Sequence, residues 1–191
     1  MKIRSFLAFD INDDIKKELS SLIQILEPKA KGMKWTKPDL MHCTMKFFGD
    51  VEEELLLGDI SKAIEDVAQQ QAKIRLKGVG IGVFPNWRYP RVIWAGLSGE
   101  IDEAILLHEK LETALESFGL KRDARVFRLH LTLGRAKSPL KNPDSLVALV
   151  EKLIGREFGE IVIDCLNLYK SVLTKQGPVY TLLKQFNLKN S

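Results

Sequence analysis

Phe127-Arg128-Leu129-His130-Leu131-Thr132-Leu133-Gly134-Arg135 alternates without a break. Phe127, Leu129, Leu131 and Leu133 share one parity, and Arg128, His130, Thr132 and Gly134 the other. A period of two over this length predicts a half-buried strand across residues 127–135, with one face in a core and one facing outward. The outward face sets an imidazole beside a hydroxyl. Eighty-eight residues upstream the device recurs: Met41, Cys43, Met45 and Phe47 form an apolar face, and His42, Thr44 and Lys46 the other. A single such histidine reads as a strand residue satisfied by a neighbouring hydroxyl. The chain holds only three histidines and six threonines. Chance would place a threonine two residues after two of those histidines on the order of a few times in a thousand. The duplication marks a site.

Composition bounds the rest. At 191 residues and 45% hydrophobic the chain can bury one full core, here expected as a single bilobal domain over residues 1–191. No apolar run reaches the length of a membrane span, and Asp10, Asp13 and Asp14 close behind the N-terminus do not suit a signal peptide. Cys43 and Cys165 have no disulfide or metal spacing, which suits a reducing cytoplasm. A net charge of +4 is compatible with a polyanionic partner such as RNA without establishing one. We expect a monomer that has no contact with a membrane.

Residues 2–10 read as a central strand with two mostly apolar faces. Asn12 caps a helix whose stripe is Ile15, Leu19, Leu22, Ile23 and Leu26. Residues 50–53 have the form of a capping box before a helix with Leu56, Ile60, Ala63, Ile64 and Val67. A strand over 74–83 contains Gly78, Gly80 and Gly82. No helix follows as a phosphate loop would need, so these glycines read as bulge or close-packing positions. Residues 84–91, rich in aromatics and arginines, admit two readings: a base-stacking, phosphate-binding loop, or a packed hairpin connection. A helix over 99–118 carries Ile101, Ile105, Leu111 and Leu115, with the third histidine, His108, in a structural place beside them. Asn142 and Pro143 open a further helix. Residues 161–173 read as one long strand and 179–188 as its hairpin partner.

The paired units resemble the two-histidine phosphoesterases. Within them the chain is similar to the RNA 2′,3′-cyclic phosphodiesterases, also called 2′-5′ RNA ligases. Supporting segments are 4–10, 41–49, 90–96, 127–135 and 168–180. The resemblance implies an α+β fold of two lobes related by a pseudo-twofold axis. Each lobe would be an antiparallel sheet with helices on its outer face, and each would supply one histidine strand to a central cleft. It implies metal-independent hydrolysis of RNA 2′,3′-cyclic phosphate ends to 2′-phosphomonoesters, with a reverse 2′-5′ ligation and no cofactor. His42 would be the proton donor and His130 the acceptor.

The residues themselves support that chemistry. Two imidazoles titrating near neutrality can act as general acid and general base. Thr44 and Thr132 can donate to non-bridging phosphate oxygens. Arg135 and Lys46 could add charge at the phosphate, although Arg135 falls on the apolar parity. Phe48 or Trp87 would stack the base. Cys43 adjoins His42 on the opposite face and so does not pair with it as a nucleophile. Neither unit has the ligand spacing of a metal site. The substrate class that the resemblance implies is RNA with a 2′,3′-cyclic phosphate terminus or a small cyclic nucleotide. The competing class is a module that binds RNA or nucleotide in the same cleft without turnover.

Overall fold

A computed structural model of the chain describes residues 1–122, 126–140 and 143–189. The fold is α+β, with two antiparallel sheets. The four-stranded sheet has the order β3-β1-β8-β9, made of β1 (Lys2–Asp10), β3 (His42–Glu52), β8 (Cys165–Thr174) and β9 (Gly177–Asn187). The five-stranded sheet has the order β2-β6-β5-β4-β7, made of β2 (Met33–Trp35), β4 (Ile74–Phe84), β5 (Val92–Gly99), β6 (His130–Ala136) and β7 (Glu157–Ile163).

The lobes are not contiguous in sequence. Strand β1 is apolar on both faces, and residues 5–9 are buried throughout, so it must be paired on both edges. Its partners are β3 from the first half of the chain and β8 from the C-terminal hairpin. The expected single strand over 161–173 is two strands: β7 pairs with β4 in one sheet, and β8 starts in the other after Asp164.

Helix α1 (Asp13–Leu26) buries the expected stripe, and the Asn12 side chain accepts from the Ile15 N–H at 2.9 Å, satisfying one of the free N–H groups of its first turn. It packs on β7. The capping box does not form. Strand β3 runs through Glu52 and the Glu53 N–H is taken by the Met1 carbonyl, so this helix starts without a side-chain cap. The helix itself is present as α2 (Glu53–Leu55), a π turn (Leu56–Ile60) and α3 (Ser61–Ala68). Helix α4 (Ile101–Glu116) packs on α3 and reaches β3 and β4. It buries Ala104, Leu107, His108, Leu111, Glu112 and Leu115, while Ile105 lies outside the buried face. Helix α5 is Asp144–Glu151; the expected cap at Asn142 lies outside the described residues.

The glycines of β4 serve close packing and a bulge. Gly80 has φ +69°, a left-handed conformation, and sits where the β4–β5 register shifts; a Cβ on Gly82 would overlap the Trp94 ring. Residues 85–91 join β4 to β5 as a turn closed on itself, with the Asn86 side chain accepting from the Arg88 and Tyr89 N–H groups. None of them lines the cleft described next.

Candidate active site

The two histidine strands come together, one from each sheet, and His42, Thr44, His130, Thr132 and Arg135 line one cleft of about 920 Å³. Both units are built alike, residue for residue. His42 pairs with Asp10 and Thr44 with Ala8; the next ladder pair is Lys46 with Leu7, leaving Met45 unpaired. His130 pairs with Gly96 and Thr132 with Trp94; the next is Gly134 with Ile93, leaving Leu133 unpaired. Each strand therefore carries a one-residue bulge directly after its threonine, and a bulge exchanges the faces of everything beyond it.

The exchange corrects three expectations. Lys46 is not at the phosphate: it turns inward, 3% exposed, and its Nζ lies 2.7 Å from Glu112 Oε1 and donates to the Lys121 carbonyl at 2.7 Å. Phe48 is buried, and Phe47 takes the cleft face at 56% exposure. Arg135 leaves the apolar parity and reaches into the cleft, where its Nη2 donates to Thr132 Oγ1 at 3.2 Å. Trp87 packs against the core, away from the cleft. The predicted strand over 127–135 starts only at His130; residues 126–129 belong to no strand or helix.

Both imidazoles are held by the same device. His42 Nδ1 lies 2.9 Å from the Leu40 carbonyl, and His130 Nδ1 lies 2.7 Å from the Arg128 carbonyl. A carbonyl only accepts, so in each ring Nδ1 carries the hydrogen and Nε2 is left for chemistry. His42 Nε2 is 3.1 Å from Thr44 Oγ1. Aromatic rings fix the planes: Phe6 stacks on His42 and Tyr180 meets it edge-on, while Phe84 and Trp94 meet His130 edge-on.

The electrostatics of the two rings differ. Burial lowers the pKa of both below the ordinary 6.5. His42 is drawn back up by the Leu40 carbonyl and by Asp10, and pushed down by Arg135 and His130. His130 is drawn up by the Arg128 carbonyl and pushed down by Arg135, with no carboxylate opposing it. Asp10 is itself held in place by donors, Asn167 Nδ2 at 2.8 Å and Tyr169 OH at 2.6 Å. Burial pushes the Cys43 thiol up to about 12, and the strand turns it away from the cleft, so it is no nucleophile.

Several cleft residues escaped the sequence reading. Lys34, Trp35 and Lys37, on and after β2, form one wall, and the β8–β9 hairpin tip with Tyr180 forms the other. Lys29, Lys31 and Lys34 make the stretch before Trp35 basic, but nothing local says that β2 joins β6 and so borders the site. Among the described residues no three His, Cys, Asp or Glu side chains stand together as metal ligands, and no helix is long and apolar enough to cross a membrane.

Comparison with known proteins agrees with this architecture. The family described as LigT-like phosphoesterase matches residues 9–94 and 96–180, and each matched segment holds one histidine unit. The RNA 2′,3′-cyclic phosphodiesterase of Methanocaldococcus jannaschii is 36% identical, covering 96% of this chain and 100% of its own length. That of Methanothermobacter thermautotrophicus is 34% identical, covering 98% and 100%. The crystal structure of TT0787 from Thermus thermophilus superposes with a TM-score of 0.82 at 28% identity, covering 98% of this chain and 99% of that one. The fold is shared with Escherichia coli LigT complexed with 3′-AMP, at a TM-score of 0.76, 24% identity, and coverage of 98% and 99%.

Proposed function

This chain belongs to the LigT-like phosphoesterase family, and from that premise we propose that it is an RNA 2′,3′-cyclic phosphodiesterase that leaves a 2′-phosphomonoester. The observation that carries the reading is the pair of identically held imidazoles, each offering Nε2 to one cleft. Residues 1–191 act as one bilobal unit, since the C-terminal hairpin completes the lobe that β1 begins.

In the working state His130 is neutral and His42 protonated. Asp10 supports that division: it draws His42 up, no carboxylate does so for His130, and burial and Arg135 lower both rings alike. The cyclic phosphate lies between the rings. The Thr44 and Thr132 hydroxyls and the Arg135 guanidinium take its non-bridging oxygens, where negative charge grows as the phosphorus becomes five-coordinate. His130 Nε2 accepts a proton from water as the water oxygen attacks phosphorus. The P–O3′ bond breaks in line, and His42 Nε2–H protonates the departing O3′. The phosphate remains on O2′. Solvent then returns His130 to neutrality and His42 to its charged form. Every proton has a named donor and acceptor among side chains, so no step calls for a metal or cofactor.

The same site runs in reverse and sideways. A 5′-hydroxyl in place of water would give a 2′-5′ linkage, driven by the strained cyclic ester and not by a nucleotide triphosphate. The exposed ring of Phe47 on the His42 strand is the surface for the terminal base, and it seats O3′ beside His42. Pure binding without turnover is the less favoured reading, because holding a phosphate does not require two titratable groups with fixed tautomers.

The test is turnover of a 2′,3′-cyclic nucleotide in isotopically labelled water in the presence of chelator. We expect the 2′-monophosphate alone, carrying one labelled oxygen. No turnover supports the binding module, a 3′-monophosphate reverses the roles of His42 and His130, and loss of activity restored by one divalent ion refutes the metal-free route.

A further inference from the structure

The two histidine rings hang from backbone carbonyls held in different ways. Leu40, which holds His42, ends a 3-10 turn (Pro38–Leu40) closed by hydrogen bonds from the Leu40 N–H to the Lys37 carbonyl and from the Met41 N–H to the Pro38 carbonyl. Arg128, which holds His130, lies in the stretch 126–129, which belongs to no strand or helix and whose Leu129 packs against the core. Its neighbour Phe127 is fixed another way. The Phe127 ring lies flat on the His108 ring, with centroids 3.7 Å apart and planes within 6°. His108 is 4% exposed on α4, and its Nε2 is 3.4 Å from Glu112 Oε1. Glu112 in turn is paired with buried Lys46 of the His42 strand. The start of the same connection is docked too: Lys46 holds the Lys121 carbonyl, and Arg122 donates to Glu109, Thr113 and Glu116 of α4.

We propose that His108, the third histidine, is a positioning residue for the active site: its stack on Phe127 places the Arg128 carbonyl that orients His130 and fixes its tautomer. The proposal rests on the paired-histidine reading above for its effect on rate, but not for its effect on the ring. A base needs its Nε2 lone pair aimed at the attacking water. If the Arg128 carbonyl drifts, His130 loses the acceptor for its Nδ1–H, can carry its hydrogen on Nε2 instead, and ceases to be a base in that form. His42 is held by the Leu40 carbonyl and its strand meets this support only through Lys46 and Glu112, so it serves as the comparison ring.

His108→Ala removes the stack, and His108→Phe keeps a flat ring at the same place. With His108 gone, a nitrogen-labelled protein shows two imidazoles, and proton–nitrogen spectra report the tautomer of each. We expect His130 of the alanine variant to populate the Nε2–H form while His42 keeps Nδ1–H. We expect kcat to fall roughly tenfold to a hundredfold from misorientation alone, with KM little changed, and both readouts to return in His108→Phe. Phe127→Leu removes the other half of the stack with less loss of volume, and the same results are expected of it should the alanine variant not fold. A folded variant whose His130 keeps the wild-type tautomer overturns the proposal. So does an equal disturbance of His42 and His130, which would mark general loosening. Absence of turnover in the wild-type chain would sink the catalytic reading but leave this spectroscopic comparison intact.

Discussion

Replacing Lys46 by methionine separates two accounts of that residue cleanly. By sequence parity Lys46 shares the face of His42 and belongs at the phosphate. In the structure it points the other way, and both it and Glu112 have side chains only 3% exposed. The perturbation keeps the length and apolar stem of the side chain and removes its charge. Glu112 is then left as a buried carboxylate without its lysine, with the His108 imidazole beside it among the described residues, and the Lys121 carbonyl loses its donor. Breaking a buried ion pair from one side costs about 3–5 kcal/mol. In a chain of this size each kcal/mol moves Tm by about 2–4 °C, so the expected fall is roughly 6–20 °C. Removing both charges, in Lys46→Met with Glu112→Leu, should recover most of the loss, because no unpaired charge remains. Urea and thermal denaturation of the two single variants and the double variant give the coupling directly. A Lys46→Met protein within about 1 kcal/mol of wild type would refute the buried-pair account. Normal stability combined with a collapse of kcat/KM would instead return Lys46 to the phosphate.

Other outcomes follow from the cleft. His42→Ala and His130→Ala should each lower kcat at least about a thousandfold, with the double variant little worse because the pair acts as a unit; a single variant retaining a tenth of the turnover would refute the assignment. The pH profile of kcat/KM should be a bell, rising as His130 loses its proton and falling as His42 loses its own. Since burial lowers both groups, its optimum should lie on the acid side of 6.5, and Asp10→Asn, which removes a charge that raises His42, should draw the alkaline limb further down. Phe47→Ala should raise KM for a cyclic mononucleotide roughly tenfold, since stacking on one base contributes about 1–3 kcal/mol, while kcat holds; an unchanged KM would place the base elsewhere.

The parts of this molecule legible in the sequence are those decided within one window. The two apolar faces of β1, the Asn12 cap and the stripe of α1, and the shared face of each histidine and threonine all follow from local periodicity, and all are observed. The parts that were not legible depend on a partner strand. A bulge is defined by the register opposite it, so Met45 and Leu133 look like ordinary alternating residues until β1 and β5 are paired with them. Lys46 adds to the deception because its long stem can be buried while its charge finds Glu112. The change of sheet at Asp164 is hidden for a similar reason: strand-like sequence runs on through it, and hydrogen-bond partners distinguish β7 from β8. Of the α4 stripe, Leu111 and Leu115 are buried and Ile101 packs on the core, while Ile105 faces out, because which arc of a helix is buried is set by its neighbours, here α3, β3 and β4.

The duplicated backbone makes the remaining differences between the two units chemically interpretable. Identical register gives both strands the same succession: histidine, buried residue, threonine, bulge, buried residue, cleft residue. At the cleft position one unit has Phe47 and the other Arg135. Opposite the histidine one has Asp10 and the other Gly96. A symmetric pair of imidazoles would bind a cyclic phosphate in two orientations and could not assign acid and base. The Asp10 and Phe47 differences act against that degeneracy. Asp10 draws the His42 pKa up and has no counterpart at His130, Arg135 lowers both rings, and Phe47 sets an exposed aromatic ring on the His42 strand. On the proposed mechanism Asp10 would bias which ring donates, and the aromatic which ribose oxygen lies beside it. If the two devices were independent of chemistry, exchanging Phe47 and Arg135 would only weaken binding. If they set direction, the exchanged protein should begin to release the 3′-monophosphate, with Asp10 still resisting the complete reversal.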